Sequence, residues 1–567
     1  MATKRPAPSV GNKEPVAKKP RLVPKSLPKV ELFDANPHWK GEISKIILPY
    51  QKESVEFAVK NDGKIFIADD MGLGKTLQAI SIMMHYRSEW PLLIMAPSTL
   101  CSQWKYEMER WIPELKPPPP PPPVGKRKPK KDKGHDHPVR WIKDGKTPLG
   151  GIVDVIPYTL LDSKIEELMA IGYKCIIADE CHYLKNKKAQ RTKNAITVGK
   201  KAQRKVMLSG TPILNFPADL YSQLKFLDVG EKLYQSVVNA NPADRRGMDN
   251  GGKLFDNWTS FTTRYCNGHL NQFREWDVRG VTNPEELHRV LTDVCLIRRR
   301  KDDVLTQLPP KFRRAHYIDI APGQAKEIQK ALDDIRIRAQ NLAKLPAAQI
   351  RKAIFEMMKQ GQMKMEVFRK NAEAKAEPSR KYIREVLQNT DHKFLVFAHH
   401  RAMMDEIEAE LTEHAQKINV PDFHIRIDGN TKDDRHKLVQ YFQTQPQCRV
   451  ALLSITAAGV GLTLTAAPEV IFAELYWNPA AMLQAEDRIH RIGQTQNCNI
   501  TYLVARDSFD DRMWKILNRK YKTTSAIIDG IANATMLTLQ DSDQEYERTD
   551  AASILAECLF DDIMEDA

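Results

Sequence analysis

The chain has 567 residues, of which 42% are hydrophobic and 28% are charged, the balance of a globular protein with two to four domains. No apolar run approaches the roughly 18 residues of a membrane-spanning helix, and the basic, Pro-rich start lacks the apolar segment of a secretory signal. The net charge of +14 indicates a polyanionic partner, with nucleic acid as the first candidate, although a solvated basic surface gives the same total.

Charge is concentrated in three segments of the chain. Residues 1–45 contain 10 Lys or Arg against 4 Asp or Glu, residues 116–146 contain 10 against 3, and residues 537–567 contain 1 against 10. We expect a disordered basic tail over 1–45 and an acidic tail over 531–567, because such polar segments have little to bury.

The basic tail carries two clusters, Lys4-Arg5 and Lys18–Arg21. Their separation is typical of a bipartite nuclear import signal, with an unspecific basic tail as the alternative. Residues 116–147 contain a run of prolines followed by lysines, and because polyproline is a stiff spacer we expect a solvent-exposed insertion there.

The eight cysteines include no C-x-x-C pair. This spacing favours reduced thiols in an intracellular protein and argues against a structural zinc site.

In chain order, the first candidate site residue is Gln51, in the sequence L-P-Y-Q ahead of an amphipathic stretch. Its amide both donates and accepts hydrogen bonds, as an adenine edge requires. We predict that Gln51 forms hydrogen bonds with the adenine base if the next segment binds a nucleotide.

That segment begins with the apolar run Ile65–Ala68, continues as D-D-M-G-L-G-K-T, and becomes helical in pattern from Lys75. A strand, a Gly-rich loop and a helix form the context of a phosphate-binding loop, in which backbone N–H groups point at the anion. Lys75 is expected to contact the β- and γ-phosphates and Thr76 to ligate Mg²⁺. The predicted nucleotide-binding set is Asp70, Met71, Gly72, Leu73, Gly74, Lys75 and Thr76.

One position departs from the usual pattern, because Asp69 stands where the first glycine is expected. A Gly-rich turn with no ligand is therefore the alternative interpretation.

Further apolar runs predict strands, each followed by a polar or Gly-rich motif. Their limits are 92–96, 152–156, 175–178, 206–208, 394–398, 423–427, 450–453 and 470–472. Residues 216–390 are mostly helical in pattern. Strands that alternate with helices form parallel sheets, and ligands bind at the carboxyl ends of their strands. The sequence predicts an α/β fold of two parallel-sheet lobes with a cleft between them.

Two acids, Asp179 and Glu180, follow the strand predicted at 175–178. After a phosphate-binding loop, such a pair has a specific use: Asp179 would hold Mg²⁺ and Glu180 would polarise the water that attacks the γ-phosphate. A polar loop without catalytic function is the alternative.

Arg488 and Arg491 lie three residues apart in Q-A-E-D-R-I-H-R-I-G-Q, so on a helix they share a face. Arginine matches phosphate with two parallel hydrogen bonds. We predict that both act as arginine fingers from the second lobe, with an exposed basic helix face as the alternative.

The series L-P-Y-Q, D-D-M-G-L-G-K-T, D-E-C-H, L-S-G-T-P and Q-A-E-D-R-I-H-R-I-G-Q resembles the motifs of superfamily 2 helicases, specifically the SWI/SNF-related ATPases, over about residues 46–525. In that family an acid is common at the position of Asp69. Finer matches, including V-F-A-H-H and F-A-E-L-Y-W-N-P, are similar to the annealing helicases of the HepA-related, SWI/SNF-related A-like group.

The resemblance implies two RecA-like parallel-sheet lobes with helical insertions. We expect lobe 1 over 46–305, with the insertion 116–147 and a helical insertion, and lobe 2 over 306–530, with a helical insertion at 320–390. It also implies a DNA-dependent ATPase that uses ATP and Mg²⁺ and anneals strands or remodels branched DNA and replication forks, and the basic clusters of the tail favour a nuclear location. Gly459 is a further nucleotide-binding candidate, and the expected DNA contacts are Ser98, Thr99, Trp104, Thr456 and Trp477.

Three departures from the annealing group bear on specificity. Only about 45 residues precede the motor segment, so the recognition domains of the group are expected to be absent. We also expect no nuclease or zinc module after it. The basic insertion matches no part of the pattern. A general SWI/SNF-type duplex translocase or chromatin remodeller, an RNA helicase, and a non-catalytic ATP-binding scaffold remain alternatives. The tails are candidate contacts for replication or repair proteins.

Overall fold

The computed structural model describes residues 46–117, 137–240, 253–271, 276–343, 362–431, 435–456, 462–506 and 508–532, with 534 and 536. The predicted basic tail, most of the predicted insertion and acidic tail, and Gly459 lie outside these residues. None of the helices within them is both long and apolar enough to cross a bilayer.

A parallel sheet organises the first half of the chain. Its strands are β1 (Lys64–Ile67), β2 (Leu92–Ala96), β3 (Val139–Trp141), β4 (Val153–Pro157), β5 (Cys175–Asp179), β6 (Arg204–Leu208) and, after a β7 (His269–Leu270) and β8 (Trp276–Asp277) hairpin, β9 (Leu296–Ile297). The strand order is β3-β4-β2-β5-β6-β1-β9. Consecutive residues such as Ile65 and Phe66 are fully buried on opposite faces, so apolar cores cover both sides of the sheet.

Helices surround this first sheet. They are α1 (Pro49–Lys60), α2 (Lys75–His85), α3 (Cys101–Trp111), α4 (Ile165–Ile171), α5 (Gln190–Gly199), α6 (Asp219–Leu227), α7 (Gly230–Ala240), α8 (Trp258–Tyr265), α9 (Pro284–Val294) and the short α10 (Lys301–Val304). Lys301 opens α10, at the passage from the first sheet to the second.

A second parallel sheet organises the rest. Its strands are β10 (Lys311–Ile318), β11 (Phe394–Ala398), β12 (His424–Ile427), β13 (Val450–Ser454), β14 (Glu469–Phe472) and β15 (Cys498–Ala505), in the order β10-β15-β14-β11-β13-β12. Its helices are α11 (Pro322–Ala343), α12 (Gln362–Asn389), α13 (Arg401–Lys417), α14 (Arg435–Thr444), α15 (Pro479–Glu486) and α16 (Phe509–Ile528). Two apolar clusters again cover both faces.

Helix α16 belongs to both units. Phe509, Met513 and Trp514 pack in the core of the second sheet, whereas Ile527 and Ile528 pack in the core of the first. The helix therefore bridges the cores of the two sheets.

These sheets confirm the predicted α/β class with two parallel sheets, and each strand predicted from an apolar run is present within two residues of its expected limits. The sequence prediction missed the short β7–β8 hairpin and the strands β3, β9, β10 and β15. In particular, Val139–Trp141, which falls inside the segment expected to be a solvent-exposed insertion, is an edge strand paired with β4.

Candidate active site

The loop between β1 and α2 has the backbone shape of a phosphate-binding loop. Gly72 and Gly74 adopt φ angles of +87° and +72°, which side-chain-bearing residues rarely adopt. A Cβ atom at Gly74 would lie 2.5 Å from the Gln51 amide nitrogen, and one at Gly72 would lie 3.2 Å from the Arg491 side chain. Space and conformation both require glycine at Gly74, and the φ angle requires it at Gly72.

Gln51 braces this loop from α1. Its amide nitrogen donates to the Leu73 carbonyl at 3.0 Å, and its amide oxygen accepts from the Leu48 N–H at 3.0 Å. Tyr50 and Gln78 also donate to the Leu73 carbonyl. The predicted adenine-reading residue thus lies against the loop, with both ends of its amide engaged.

Asp69, the departure from the usual loop pattern, is fully buried. Its carboxylate accepts hydrogen bonds from the Gln78 amide and from both the backbone N–H and the guanidinium of Arg299, all at 3.0 Å. A buried carboxylate needs such partners. In this chain the acid fastens the loop to residues 298–301, beyond the edge strand β9.

Lys75 begins α2 and points back at the loop. Its ammonium donates to the Asp69 carbonyl at 2.8 Å and to the Asp70 carbonyl at 3.3 Å. Burial lowers its pKa, and the carboxylates of Glu180, Asp69 and Asp70 oppose that shift. The ammonium is thus a buried positive charge at the mouth of the loop, beside Thr76.

Asp179 and Glu180 stand at the carboxyl end of β5, beside β6 and near the loop that follows β1. The Asp179 carboxylate accepts from the Trp104 indole N–H at 2.7 Å and from the Glu180 N–H at 2.9 Å. Burial and the neighbouring Glu180 charge raise the pKa of Asp179 to about 6. Glu180 has φ +46° and ψ +52°, a strained conformation that is typical of functional positions.

The environment of Glu180 favours the carboxylate form. Burial would raise its pKa, but His182, Lys75 and Arg488 together hold the pKa below its ordinary value. The His182 ring nitrogen lies 3.3 Å from a Glu180 oxygen and 3.1 Å from the Ser209 hydroxyl. Glu180 is therefore an ionised acceptor inside a buried site.

Arg488 and Arg491 approach from the second sheet, just after α15. The Arg488 guanidinium is 3% exposed and donates to the Leu462 carbonyl at 3.3 Å. Arg491 donates to the Asp487 carbonyl at 3.0 Å and to the Thr463 hydroxyl at 3.3 Å. Burial and the nearby Arg491 charge lower the pKa of Arg488 to about 9. Two desolvated cations thus share one side of the cleft.

The two sheets enclose a cavity of about 590 Å³. The first unit lines it with Lys75, Thr76, Asp179 and Glu180, and the second with Arg488 and Arg491. Arg488 Nε is buried without a hydrogen-bond partner among the described residues. Buried cations without acceptors destabilise a site unless an anion is bound. The cavity therefore fits a polyphosphate, and the carboxylates beside Thr76 fit a hard divalent cation.

Lys301 connects the two sides of the cavity, a role that the sequence prediction missed. Its backbone N–H donates to the Asp70 carboxylate at 3.0 Å, and its ammonium donates to the His490 carbonyl at 2.7 Å and lies 2.8 Å from Asp487. It thus joins the phosphate-binding loop to the segment that carries both arginines. The only sequence signal was the basic run 298–301, which lies close to the expected boundary between the lobes at residue 305.

Arg298 is a second residue that the prediction missed. Its guanidinium forms salt bridges of 2.7 Å with Asp70 and with Asp529, just beyond α16, and donates to the Ala68 carbonyl at 2.8 Å. Asp70, predicted to contact the nucleotide, is thereby held by residues 298–301 through its side chain.

The predicted DNA contacts divide into two groups. Ser98, Thr99 and Thr456 are exposed at the carboxyl ends of strands. Trp104 is 2% exposed, and Trp477 is 6% exposed and packs against Phe368 and His399. A DNA contact was expected for both tryptophans from the family resemblance, but both side chains are buried in this structure, which corrects that expectation.

Comparison with known proteins places the chain in a family. The SNF2-related domain model matches residues 50–371, more than half of the chain, and the helicase conserved C-terminal domain model matches residues 377–493. The SWI2/SNF2 ATPase core of Sulfolobus solfataricus, solved in complex with dsDNA, is 20% identical with a TM-score of 0.35, covering 87% of this chain and 97% of that one.

Curated relatives are similar over most of this chain. The DNA annealing helicase and endonuclease ZRANB3 of Mus musculus is 38% identical over 506 residues, which is 88% of this chain and 42% of the relative. The SWI/SNF-related matrix-associated actin-dependent regulator of chromatin subfamily A-like protein 1 of Xenopus tropicalis is 36% identical, over 89% of this chain and 47% of the relative. The chain thus spans less than half the length of these two relatives. On the family match and the motif geometry together, it belongs to the SNF2-related family of superfamily 2 helicase-type ATPases.

Proposed function

We propose that the chain is an ATP-dependent DNA translocase that anneals complementary strands or remodels branched DNA and replication forks in genome maintenance. The observation that carries the proposal is the cavity between the two sheets, where Glu180 and Lys75 face Arg488 and Arg491. Glu180, the proposed proton acceptor, lies on one unit, and the two arginines that would bind phosphate lie on the other. Turnover would therefore depend on how the two units are arranged.

In the proposed reaction Lys75 and the N–H groups of the loop bind the phosphates of ATP. Glu180 accepts a proton from the water that attacks the γ-phosphate, and His182 keeps its carboxylate in place. Arg488 and Arg491 stabilise the negative charge that develops on the transferred phosphoryl group. A non-catalytic scaffold is the alternative from another class, and the buried, ionised Glu180 beside both arginines counts against it.

Thr76 and Asp179 are the proposed ligands of Mg²⁺, since a hydroxyl and a carboxylate are the oxygen donors that this cation prefers. When bound there, Mg²⁺ would neutralise phosphate charge. The second Asp179 oxygen is already held by Trp104, so this carboxylate is oriented before any cation arrives.

Duplex DNA is the proposed partner, and the basic segment that follows Glu180 in the chain supports it. Between residues 181 and 218 the chain has nine Lys or Arg and no Asp or Glu. Lys188, Arg191 and Lys193, at or near the start of α5, are exposed. This segment directly follows Glu180, so backbone phosphates bound there would lie close to the hydrolytic residue.

The specific task is inferred from the relatives named as annealing helicase and subfamily A-like protein. Pairing releases roughly 1.4 kcal/mol per base-pair step through stacking, so rewinding bare strands needs no motor. ATP would instead serve to displace bound protein or to drive a branch. A general duplex translocase or chromatin remodeller is the second candidate, favoured by the family match alone. We also propose a nuclear location and contacts of the tails with replication or repair proteins.

The test is steady-state ATP hydrolysis by the full chain with single-stranded, duplex, forked and nucleosomal DNA and with duplex RNA. Forked DNA should stimulate most, since a junction offers backbone to both units, and RNA least, because the A-form backbone differs. Equal stimulation by fork and linear duplex would support the general translocase, and stimulation only by nucleosomes would support a remodeller. A chain that binds ATP without hydrolysing it would support the scaffold.

Replacing Lys188, Arg191 and Lys193 with alanine should lower the salt dependence of DNA binding, because each phosphate contact adds about 0.9 to the slope of log affinity against log salt concentration.

A further inference from the structure

Trp104, expected from the sequence to contact DNA, lies instead beside the hydrolytic carboxylates. It sits one turn into α3, is 2% exposed, and packs in the apolar cluster beneath the sheet with Ile94 and Ile177. Its indole N–H donates to Asp179 Oδ2 at 2.7 Å. A buried indole N–H needs an acceptor, and in this structure the acceptor is the proposed Mg²⁺ ligand.

This bond restricts the orientation of the carboxylate. Asp179 Oδ1 accepts from the Glu180 N–H at 2.9 Å, so one donor fixes each oxygen. A carboxylate oxygen has two lone pairs, so each Asp179 oxygen retains one lone pair for a cation. Removing the indole donor would leave the carboxylate with one fixing contact in place of two, and its orientation would be less restricted. Partners of this kind, bonded to a metal ligand but not to the metal, typically affect metal affinity by about 10- to 100-fold.

The same helix connects Asp179 to an exposed part of the surface. Helix α3 begins at Cys101, just after Ser98 and Thr99, which are exposed at the end of β2. The backbone N–H of Trp104 donates to the Leu100 carbonyl at 2.9 Å, and the buried Cys101 thiol donates to the Pro97 carbonyl at 3.4 Å. A displacement of segment 97–100 would therefore move the indole that holds Asp179.

We propose that Trp104 is a positioning residue, which orients Asp179 toward Mg²⁺ and joins that carboxylate to segment 97–100, so that DNA bound at Ser98 and Thr99 acts on the ATP site through α3. The inference rests on the proposed function for the identity of both ligands. It assigns Trp104 a role through Asp179 and none in direct contact with DNA.

The chain offers a matched control on the same helix. Trp111 also donates its indole N–H to a carboxylate, that of Glu107, at 2.7 Å. Trp104→Phe and Trp111→Phe both keep an aromatic ring and remove one such bond. A structural effect common to the loss of an indole would appear in both variants, whereas an effect on the proposed Mg²⁺ site should appear only in Trp104→Phe.

The first experiment measures equilibrium binding of a fluorescent ATP analogue with Mg²⁺ and with a chelator. The affinity gained from Mg²⁺ should fall roughly tenfold in Trp104→Phe and stay at the wild-type value in Trp111→Phe. Affinity in chelator should be unchanged in both, which verifies folding. In Asp179→Asn, adding Trp104→Phe should cause little further loss, because residues that act through one group are not additive. Equal Mg²⁺ dependence in the two Trp variants, or additive losses, would overturn the positioning role.

The second experiment measures ATP turnover with and without duplex DNA. The ratio of the two rates should fall in Trp104→Phe and remain at the wild-type value in Trp111→Phe. An unchanged ratio in Trp104→Phe would overturn the link to segment 97–100. If the wild-type chain hydrolyses no ATP, the proposed function fails; if it hydrolyses ATP and the two Trp variants behave alike, only this inference fails.

Discussion

At the residue scale, Glu180 combines backbone strain with a controlled charge. Its left-handed conformation costs on the order of 1–3 kcal/mol unless surrounding contacts hold it. Here the buried strand β5 precedes it, and His182 contacts its carboxylate. The strain aims the carboxylate into the cavity, beside Lys75 and opposite Arg488.

Replacing Glu180 with glutamine should abolish turnover and keep ATP binding. The amide is isosteric but cannot accept a proton from water, whereas Lys75 and the loop are unaffected. Isothermal titration with ATP and a coupled hydrolysis assay measure the two properties. Glu413→Gln, which changes an exposed carboxylate paired with Lys417, is the control and should retain both. Normal turnover in Glu180→Gln would remove the assignment of this residue as the proton acceptor.

Arg491→Ala should leave ATP affinity within a few-fold and reduce turnover severely. Arginine fingers contribute roughly 10³–10⁵ in rate, or about 4–7 kcal/mol of transition-state stabilisation. Single-turnover kinetics at saturating ATP isolate this step. Arg401→Ala, at an exposed position on α13, should behave as wild type. A loss below tenfold would mean that Arg491 only packs against Gly72 and does not contact the phosphates.

At the element scale, the end of α15 is fixed by a buried ion-pair network. Glu486 is fully buried and accepts from Arg313 at 2.7 and 2.8 Å and from Lys311 at 2.9 Å, while the Tyr502 hydroxyl donates to the same carboxylate. Lys311 and Arg313 begin β10, so the strand that follows the passage between sheets orients the segment with Arg488.

Glu486→Gln should destabilise the second unit by about 3–5 kcal/mol, because it leaves the partly buried Arg313 without its carboxylate and leaves Lys311 with Asp487 alone. Urea unfolding followed by tryptophan fluorescence measures this, since Trp514 packs against Tyr502. Glu413→Gln, at an exposed pair, should leave the unfolding midpoint at the wild-type value. Similar losses in the two variants would contradict the network.

The pH dependence provides a second check on this network. Burial would raise the pKa of Glu486, but Arg313 and Lys311 lower it from 4.5 to about 2. A folded-state pKa below the unfolded value stabilises the fold above pH 4.5, and the stabilisation disappears as the pH falls from about 5 toward 2. The difference between wild type and Glu486→Gln should therefore shrink over that interval.

Helix α16 is the second element that joins the two units. Its first half packs on the second sheet, and at its end the Ile527 carbonyl contacts His288 at 2.8 Å while Asp529 pairs with Arg298. Because Arg298 also holds Asp70, α16 is connected to the phosphate-binding loop through one guanidinium.

Asp529→Asn should weaken this connection by about 1.5–3 kcal/mol, the range for a hydrogen bond between charged groups. Amide hydrogen exchange over residues 524–531 should become faster, while exchange in β11 stays unchanged. Asp303→Asn, at an exposed pair with Arg300, should not change exchange at 524–531. Unchanged exchange in Asp529→Asn would show that apolar packing and the His288 contact hold the end of α16 without this ion pair.

The elements also show what the sequence could predict. Strands such as β2 and β11 are continuous apolar runs, so their burial on both faces was visible in advance. Strand β10 alternates exposed and partly buried residues and starts with Lys311 and Arg313, so it fell within the segment 216–390 that was read as mostly helical. Among the described residues it is an edge strand paired with β15, and that partner lies far along the chain.

The residues of the candidate site likewise divide into those found from local motifs and those that depend on contacts far along the chain. Lys75, Glu180 and Arg491 belong to local motifs, and the structure places all three on the same cavity. Lys301 and Arg298 depend on contacts with Asp487 and Asp529, far along the chain, which no local spacing indicates. A DNA contact was expected for Trp104 and Trp477 from motifs alone, which do not show that both side chains are buried.

At the scale of the whole molecule, the contacts that couple the two sheets within the described residues include Lys301, the pair of Arg298 with Asp529, and α16 itself. The cavity is complete only when both units contribute, since Arg488 and Arg491 come from one and Lys75 and Glu180 from the other. DNA that favours this closed arrangement would raise turnover, which is the expected basis of its stimulation.

The most direct measurement is rewinding of a DNA bubble coated with single-strand-binding protein, followed by the loss of single-stranded signal. The wild-type chain should close the bubble only with hydrolysable ATP, and Glu180→Gln should not close it although it binds ATP. The same wild-type chain should fail to unwind a tailed duplex. Closure by Glu180→Gln, or closure without ATP, would contradict a hydrolysis-driven annealing motor. If the wild-type chain shows DNA-stimulated ATPase activity but does not close the bubble, only the general duplex translocase would remain.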